Sequence, residues 1–565
     1  MPNIINENAR RIISARVSEL LAQRESWRSR WFTVKEYMAP ERGRNLYAQG
    51  SYQANDGKRK DTSILNNAAE DAVGVLASGL QSGLTNPSKP WFRFALSNEE
   101  LNDRQDVRIW LDEVAKRMAT TFARSNVYNC FFNAYAELGS FGTFVAYILE
   151  DIKSGVRCKS MTIGEYALGV DDTNRVDTLY RDMNMTVGQI VERFGIENVS
   201  VSVKSSFNEG LLDTYIPVCN LIEPNDDRYK LEGVYDKAYR SLYWEKGFPD
   251  CKALSISGFD DKPFVAVRWQ TIATDVYGVC PGFKAIGNTK MLQKMESQAL
   301  TALALAIEPP LVGPGSLKGN AINTMPGGVT YNDELHGKMG LTPLYQVQLD
   351  HNAINYKIQI VEQRIRHTFF NDLFMMINSL PTDRTPVTAT EIVARNTEKL
   401  LQLGPVLTRL HEELHAPIID RVFAIMARAG QLPEPPEDLS GLDMKINYIS
   451  MLDQAQQQAV TASLSNFAGF VGSVAQIDPS VLDNVNMDEL VVDYATAIGT
   501  PAKVIRSDDE IAAIRQQRAQ QQQMAQAAEL AASAAQTAKT ASETSMEGDN
   551  MLSSITDAMS QQPQG

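Results

Sequence analysis

Positive charge is scarce in this chain. Lys and Arg number 54 against 68 Asp and Glu, a net charge of −14. A protein that grips nucleic acid tightly carries a basic balance or a basic face. Any contact with DNA is therefore expected to be loose, repulsive or confined to a few cations. Cysteine is scarce too: the five, Cys130, Cys158, Cys219, Cys251 and Cys280, are odd in number and form no CxxC pair. That argues against a disulfide framework and a zinc ribbon and fits a reducing compartment. Long apolar runs are missing. The N-terminal MPNIINENARR has no apolar h-region, so no signal peptide is expected. The longest candidate stretch, Ala299 to Ile307, falls far short of the ~20 residues of a spanning helix. The expectation is a soluble protein, made in the cytoplasm, with no membrane partner.

Catalytic signatures are sparse as well. No GxxxxGK[ST] loop occurs. Gly313 to Gly319 has the spacing GxGxxxG, but Pro310 and Pro314 intrude and no helix opens after it, so it reads as a turn-rich loop. Gly139-Ser140-Phe141-Gly142 lacks the GxSxG elbow. Met375-Met376 reads as core or interface filler. One motif does carry a chemistry. His411-Glu412-Glu413-Leu414-His415 fits HExxH, in which two histidines one turn apart hold zinc and the glutamate acts as general base. Pro417 follows the second histidine closely and would distort that turn. No third histidine follows at the short metzincin spacing, and Glu434 and Glu437 lie in a proline-rich stretch. No catalytic residue, metal or cofactor is expected; a zinc-dependent metallopeptidase at 411–415 is the enzymatic alternative.

What is present is a chain of 565 residues with 44% hydrophobic content, enough for several packing units. Ile13, Val17, Leu20, Trp27, Trp31, Val34 and Met38 recur at helical spacing and form one stripe, which Pro40 and Gly43 end. Residues 56–60, DGKRK, read as a solvated basic turn. A helix rich in small residues is expected from Ser63 to Leu84, stopped by Thr85-Asn86-Pro87. A short strand follows at Trp91–Phe94, then a helix from Asp106 to Arg124 and a small-residue segment from Asn129 to Gly142. From Phe144 to Val279 the period turns to two, with strands at Phe144–Leu149, Val176–Asp182 and Phe264–Trp269 and one helical insert, Val187–Phe194. The fold class expected is α+β, predominantly helical.

The middle of the chain is the most informative. Lys290 to Ile307 reads as a helix with Leu292, Met295, Ala299, Leu303 and Ile307 on one face, spanning roughly 30 Å. Glu308-Pro309-Pro310 breaks it. A Gly/Pro-rich excursion follows, and a second helix is expected from about Asp350 to Ile377. Pro381 to Pro386 forms a shorter loop. Thr388 and Glu391 have capping-box spacing and open a helix that runs to Gly430, with kinks at Gly404-Pro405 and Pro417. Gly430 is its C-cap, and Pro433, Pro435 and Pro436 prevent a restart. Residues 445–500 read as mixed, beginning with the strand-like INYIS. Beyond Ser507 the sequence is rich in Gln and Ala: helix-forming, but short of bulky apolar residues, so it needs neighbours or stays partly disordered.

Several blocks, in order, resemble the podovirus head-to-tail connector (portal) family. They are Met38-Ala39-Pro40; Leu76-Ala-Ser-Gly-Leu-Gln-Ser-Gly-Leu-Thr-Asn-Pro87 followed by Pro90-Trp91-Phe92; and Pro263-Phe264 with Arg268-Trp269. Then come Tyr277-Gly278-Val-Cys-Pro281-Gly282, Pro309-Pro310, Thr388-Ala-Thr-Glu391, and Leu403-Gly-Pro405 with Arg409-Leu410. The resemblance covers roughly residues 5 to 500. It implies a portal fold: wing at 1–284, stem helix 1 at 285–308, clip at 309–349, stem helix 2 at 350–380, tunnel loop at 381–387, a kinked wing/tunnel helix at 388–430, the C-terminal part of the wing at 431–506, and a crown with a disordered tail at 507–565. It also implies a homo-oligomer, a dodecameric ring at one capsid vertex of the virion, through which double-stranded DNA is packaged and ejected. The partners implied are the terminase packaging motor, tail adaptor proteins, and capsid and scaffolding proteins. Arg384, Lys290 and Lys294 are the candidate DNA-channel residues; Pro309, Pro310, Lys318, Gly327 and Gly328 are the candidate contacts of the clip with motor and tail. A net-acidic ring suits a conduit, because each neutralised phosphate adds affinity and a basic lining would act as a brake. Another virion structural protein is the remaining alternative.

Overall fold

The structure is a computed structural model. It describes residues 5–43, 63–96, 104–226, 236–247, 252–307, 350–378, 403–436, 444–449 and 508–542, with a few shorter pieces. Helix α1 (Glu7–Met38) opens on Asn6, whose side chain accepts from the Ala9 N–H at 2.7 Å. Its apolar stripe divides along its length. Ile13, Val17 and Leu20 pack on a sheet, and Trp31, Val34 and Met38 enter the main core. Helix α2 (Ala68–Leu84) starts five residues later than the sequence suggests. The Asn66 side chain accepts from the Ala68 N–H and bends the preceding segment into a turn. Strand β1 (Phe92–Leu96), α3 (Gln105–Arg124) and α4 (Val127–Phe141) follow.

The strands make two main antiparallel sheets. Strand β2 (Thr143–Asp151) lies between β3 (Gly155–Met161) and β9 (Phe264–Arg268). The second sheet is a meander of β4 (Tyr166–Val170), β5 (Val176–Thr186), β6 (Tyr215–Pro224), β7 (Tyr239–Glu245) and β8 (Ser255–Phe259). Alternation along these strands sends residues to both faces. Cys219, Leu221, Leu242 and Trp244 meet α1; Val218 and Tyr243 meet α5 (Val187–Phe194) and α6 (Val201–Asn208). Thr186 and Gln189 form a reciprocal capping box that fixes the start of α5.

Helix α7 (Pro281–Ile307) begins nine residues before Lys290, the start that the apolar face suggests. The two-residue strands β10 (Leu311–Val312) and β11 (Thr342–Pro343) then pair antiparallel. The second long helix is not continuous as expected. It divides into α8 (His351–Thr368) and α9 (Asn371–Asn378), with Phe370 at φ 57° between them. A left-handed Phe costs roughly 1–2 kcal/mol. Burial of Phe369, Leu373 and Phe374 offsets it. Phe374 seats over Gly79 of α2, where a Cβ would lie 2.2 Å from its ring.

Residues 403–410 are helical and run into a π-turn, His411–His415, and then α10 (Ala416–Arg428). The Ala416 N–H reaches back to the His411 carbonyl. That wider turn accommodates the ring of Pro417, which has no N–H of its own to give. Gly430, at φ 64°, ends the run: its N–H bonds Ala427 O and the Gln431 N–H bonds Met426 O, a Schellman closure. Strand β12 (Met444–Tyr448) pairs with β1. Helix α11 (Asp508–Ser542) carries the Gln/Ala-rich segment as one 35-residue helix, where partial disorder was the other expectation. Its described side chains are exposed except for half-buried Ile511 and Ile514.

Candidate functional site

Two close-packed places organise the interior around α7. At its start, backbone meets backbone. Gly142 caps α4 at φ 81°, and a Cβ there would sit 2.3 Å from Gly278 O. A Cβ on Gly278 would in turn sit 2.2 Å from Gly142 O, and one on Gly282 would sit 2.4 Å from Ser140 O. Hydrogen bonds seal the junction: Trp269 N–H to Gly142 O at 2.9 Å, and Gly278 N–H to Thr143 Oγ1 at 2.9 Å. The motif Tyr277-Gly278-Val-Cys-Pro281-Gly282 thus acts as a seat for the helix.

About one turn past the buried Thr289, the buried Gln293 clasps the turn before α2. Its Oε1 accepts from the N–H groups of Leu65 and Asn66, and its Nε2 donates to Asn66 O at 2.7 Å. The Asn66 amide then donates to Glu296 of α7 at 2.8 Å and to Glu362 of α8 at 2.9 Å. One asparagine therefore ties both long helices to α2. Hydrophobic periodicity could not have revealed this, because every side chain that bonds in the knot is polar and the rest is backbone.

Beyond Gln293 no residue of α7 is buried. Leu300, Leu303 and Ile307 are exposed by 56%, 42% and 68%. Met295 remains half-buried against the core. The apolar face expected on this helix is therefore real, but among the described residues only its first part is buried. Lys290 and Lys294 are exposed one turn apart on α7. Arg384, Pro309, Pro310, Lys318, Gly327 and Gly328 lie outside the described residues, as do the basic turn 56–60, the loop 381–387 and the capping pair Thr388 and Glu391.

The HExxH motif occupies the π-turn and is committed to packing. His415 is fully buried. Its Nε2 lies 2.9 Å from the Tyr135 hydroxyl, which lies 3.1 Å from Thr85 Oγ1. Its Nδ1 lies 3.0 Å from His411 Nδ1, and the His411 ring stacks on Tyr448 at 3.8 Å. Burial first, and the neighbouring His411 second, hold the His415 pKa well below the usual imidazole value. Glu413 pairs with Arg268 at 2.7 Å and with Arg409 at 3.2 Å. Among the described residues, no three His, Cys, Asp or Glu side chains converge to hold a metal ion. Both ring nitrogens of His415, the second zinc ligand of the motif, are thus joined to protein partners, while Glu412, the glutamate in the general-base position, is exposed. The same contacts explain two of the sequence blocks: Arg268 and Arg409 meet on one carboxylate.

These features define a structural subunit, with a tightly seated core and a helix whose outer half keeps its apolar side chains in the open. The chain belongs to the family of bacteriophage head to tail connecting proteins, which matches residues 10–505. It is 37% identical over 545 residues to the portal protein of Salmonella phage epsilon15, covering 96% of this chain and 97% of that one. It is 36% identical over 514 residues to a probable portal protein of Bordetella phage BPP-1, covering 91% and 92%. Its function is that of a phage portal, a structural part of the virion and not an enzyme. No described helix is long and apolar enough to cross a membrane.

Proposed function

We propose that copies of this chain close into a ring of twelve at one capsid vertex, with α7 and α8 as the stem around the DNA passage. The single observation that carries this reading is the unburied apolar run Leu300, Leu303 and Ile307 at the outer end of α7. Exposed side chains at helical spacing, on a helix clasped firmly at its other end, fit a heterologous contact that repeats around an axis and closes. The partition then follows the sequence: wing at 1–284 and 431–506, stem at 285–308 and 350–380, clip at 309–349, tunnel loop at 381–387, kinked helix at 388–430 and crown from 507. The clip, through Pro309, Pro310, Lys318, Gly327 and Gly328, would meet the packaging motor and later the tail adaptor. Capsid and scaffolding proteins would meet the wing. Arg384, Lys290 and Lys294 would steer or damp DNA sliding through an otherwise acidic tube. Negative-stain microscopy of the purified chain tests the proposal. Rings with an open axial hole are expected; particles without one, or material that stays monomeric under assembly conditions, would end it.

A further inference from the structure

Four arginines are buried among the described residues: Arg181, Arg240, Arg268 and Arg421. A charge taken out of water is costly unless it is paired and hydrogen-bonded. Three of the four have a carboxylate. Glu223 lies 2.9 Å from Arg240, Glu413 lies 2.7 Å from Arg268 and Asp261 lies 3.3 Å from Arg421. Arg181, only 3% exposed, makes no ion pair with a described carboxylate. Its partners are neutral. Nε donates to Asn220 Oδ1 at 2.8 Å, Nη2 donates to the Tyr243 hydroxyl at 2.5 Å, and the guanidinium carbon sits 4.7 Å from the Tyr147 ring centre.

The two sheets and α5 bring further donors to the same place. Arg181, Asn220 and Tyr243 stand in one cross-strand row of the meander. Tyr147 lies directly opposite Lys159 in the other sheet. Desolvation first and the charge of Arg181 second hold the Lys159 pKa below the usual lysine value. From α5, the exposed Arg193 donates to the Tyr243 hydroxyl at 3.3 Å. That oxygen therefore accepts from two guanidinium groups, and its own proton is left to donate. Burial first and the nearby Tyr243 second push the Tyr147 pKa up, so its hydroxyl also keeps its proton.

Neither the Tyr147 hydroxyl nor Arg181 Nη1 has a hydrogen-bond partner among the described residues. Neither is sealed from solvent: the sealed, unpartnered side-chain atoms are Arg16 Nε, Trp31 Nε1 and Arg421 Nε. The nearby acids are committed elsewhere. Glu245 accepts from the Ser200 N–H at 2.8 Å, and Glu165 accepts from the Thr162 N–H at 3.3 Å. Two guanidinium groups held on one neutral oxygen repel each other, and an anion between them would remove that repulsion.

We propose that this cleft, lined by Arg181, Arg193, Lys159, Tyr147 and Tyr243, binds a free oxyanion of the inorganic phosphate class. Three cations suit a phosphate, at about −1.5 to −2 near neutral pH, better than a singly charged carboxylate. Five donor groups likewise suit a tetrahedral anion better than the two oxygens of a carboxylate. Bound there, the anion joins the meander, the three-stranded sheet and α5. The burial of Arg181 keeps a duplex from reaching it, so the site is separate from any DNA contact.

The test is equilibrium dialysis of the full-length protein against radiolabelled inorganic phosphate, with chloride holding the ionic strength constant. Wild type should take up one phosphate per chain, saturably. K159Q/R193Q removes two exposed cations and should weaken binding about tenfold or more. Tyr147→Phe removes one donor and should weaken it about three- to tenfold. Arg181→Gln should abolish it, and the two milder variants still decide the matter should that one fail to fold. The control K116Q/R124Q, on α3, should bind as wild type does. Sulfate should compete, and acetate at the same concentration should compete far less. No saturable uptake by wild type, or equal losses in the site and control variants, would overturn the site. Displacement of phosphate by a short DNA duplex would overturn the free-anion assignment.

Discussion

Helix α7 carries two surfaces that the sequence writes in the same alphabet. From Pro281 to Gln293 it is seated: Phe283, Ala285, Thr289, Leu292 and Gln293 are buried, and Gly282 touches the Ser140 carbonyl. From Lys294 to Ile307 it is bare, with Leu300, Leu303 and Ile307 exposed. Both halves are apolar at helical spacing. The difference is in what the described rest of the subunit supplies, which is glycines and a glutamine clasp for the first half and no burial for the second. The inner half holds the fold together, and the outer half is the surface proposed above for assembly.

The sharpest way to break that contrast is to substitute two glycines on the same helix. Gly282→Ala places a methyl 2.4 Å from a backbone oxygen that cannot move without unseating α4. A loss of roughly 3 kcal/mol or more is expected. Gly287→Ala meets nothing within 4 Å and should stabilise by up to about 1 kcal/mol through helix propensity alone. Urea unfolding midpoints of the two variants should move in opposite directions; a shared direction would mean that the seat is not where the strain falls. Next in size is Gln293→Ala. It strips the partner from two backbone N–H groups and one carbonyl at the clasp. A cost of about 1–3 kcal/mol is expected, since Leu65 is open enough for water to recover part of it. Stability equal to wild type would show that the clasp contributes little.

The sequence makes some of this legible and hides the rest for identifiable reasons. Helix α5 is readable to the residue because Thr186 and Gln189 are a local signal. The outer part of α7 is readable as an apolar face, but period alone cannot say whether a face is covered by the same chain or by another. The division of α8 from α9 is invisible: Phe370 is neither Gly nor Pro, and only the fit of Phe374 over Gly79, far away in sequence, makes the break favourable. The glycine blocks stand out as a family pattern, yet their pairing, Gly142 with Gly278 and Gly282 with Ser140, is a tertiary fact. Pro417 alone is enough to weaken the HExxH motif as a zinc site. The structure adds the form of the distortion, a π-turn, and the partners that occupy both histidines.

Those histidines give a pH test that should touch the interior and spare the outer helix. Folded His415 is neutral, with its pKa held below the free value near 6.5 by burial. Between those two values the unfolded chain binds the extra proton, so stability rises with pH there. The full stability is present above about pH 6.5 and is lost as pH falls below it, by at most about 1.4 kcal/mol per unit. His415→Gln should remove that share of the slope between about pH 6.5 and 5. A variant whose unfolding midpoints fall with acid as steeply as those of wild type would show that another group carries the effect.

The smallest change in subunit stability is expected where the apolar side chains are bare. Leu303→Ser with Ile307→Ser removes almost no burial from the isolated chain, so its unfolding should shift by less than about 0.5 kcal/mol. Oligomerisation is the opposite case. If these side chains are covered only by a neighbouring copy, each repeated interface gives up its apolar surface at about 25 cal/mol per Å², and the penalty recurs at every interface of a closed ring. Mass photometry should therefore show the double variant folded and largely monomeric at concentrations where wild type forms rings. Rings of normal abundance would place the subunit contact elsewhere on the molecule. A fall in unfolding stability as large as that of Gly282→Ala would mean that the outer half of α7 is covered within the subunit, and the division between the two halves would disappear.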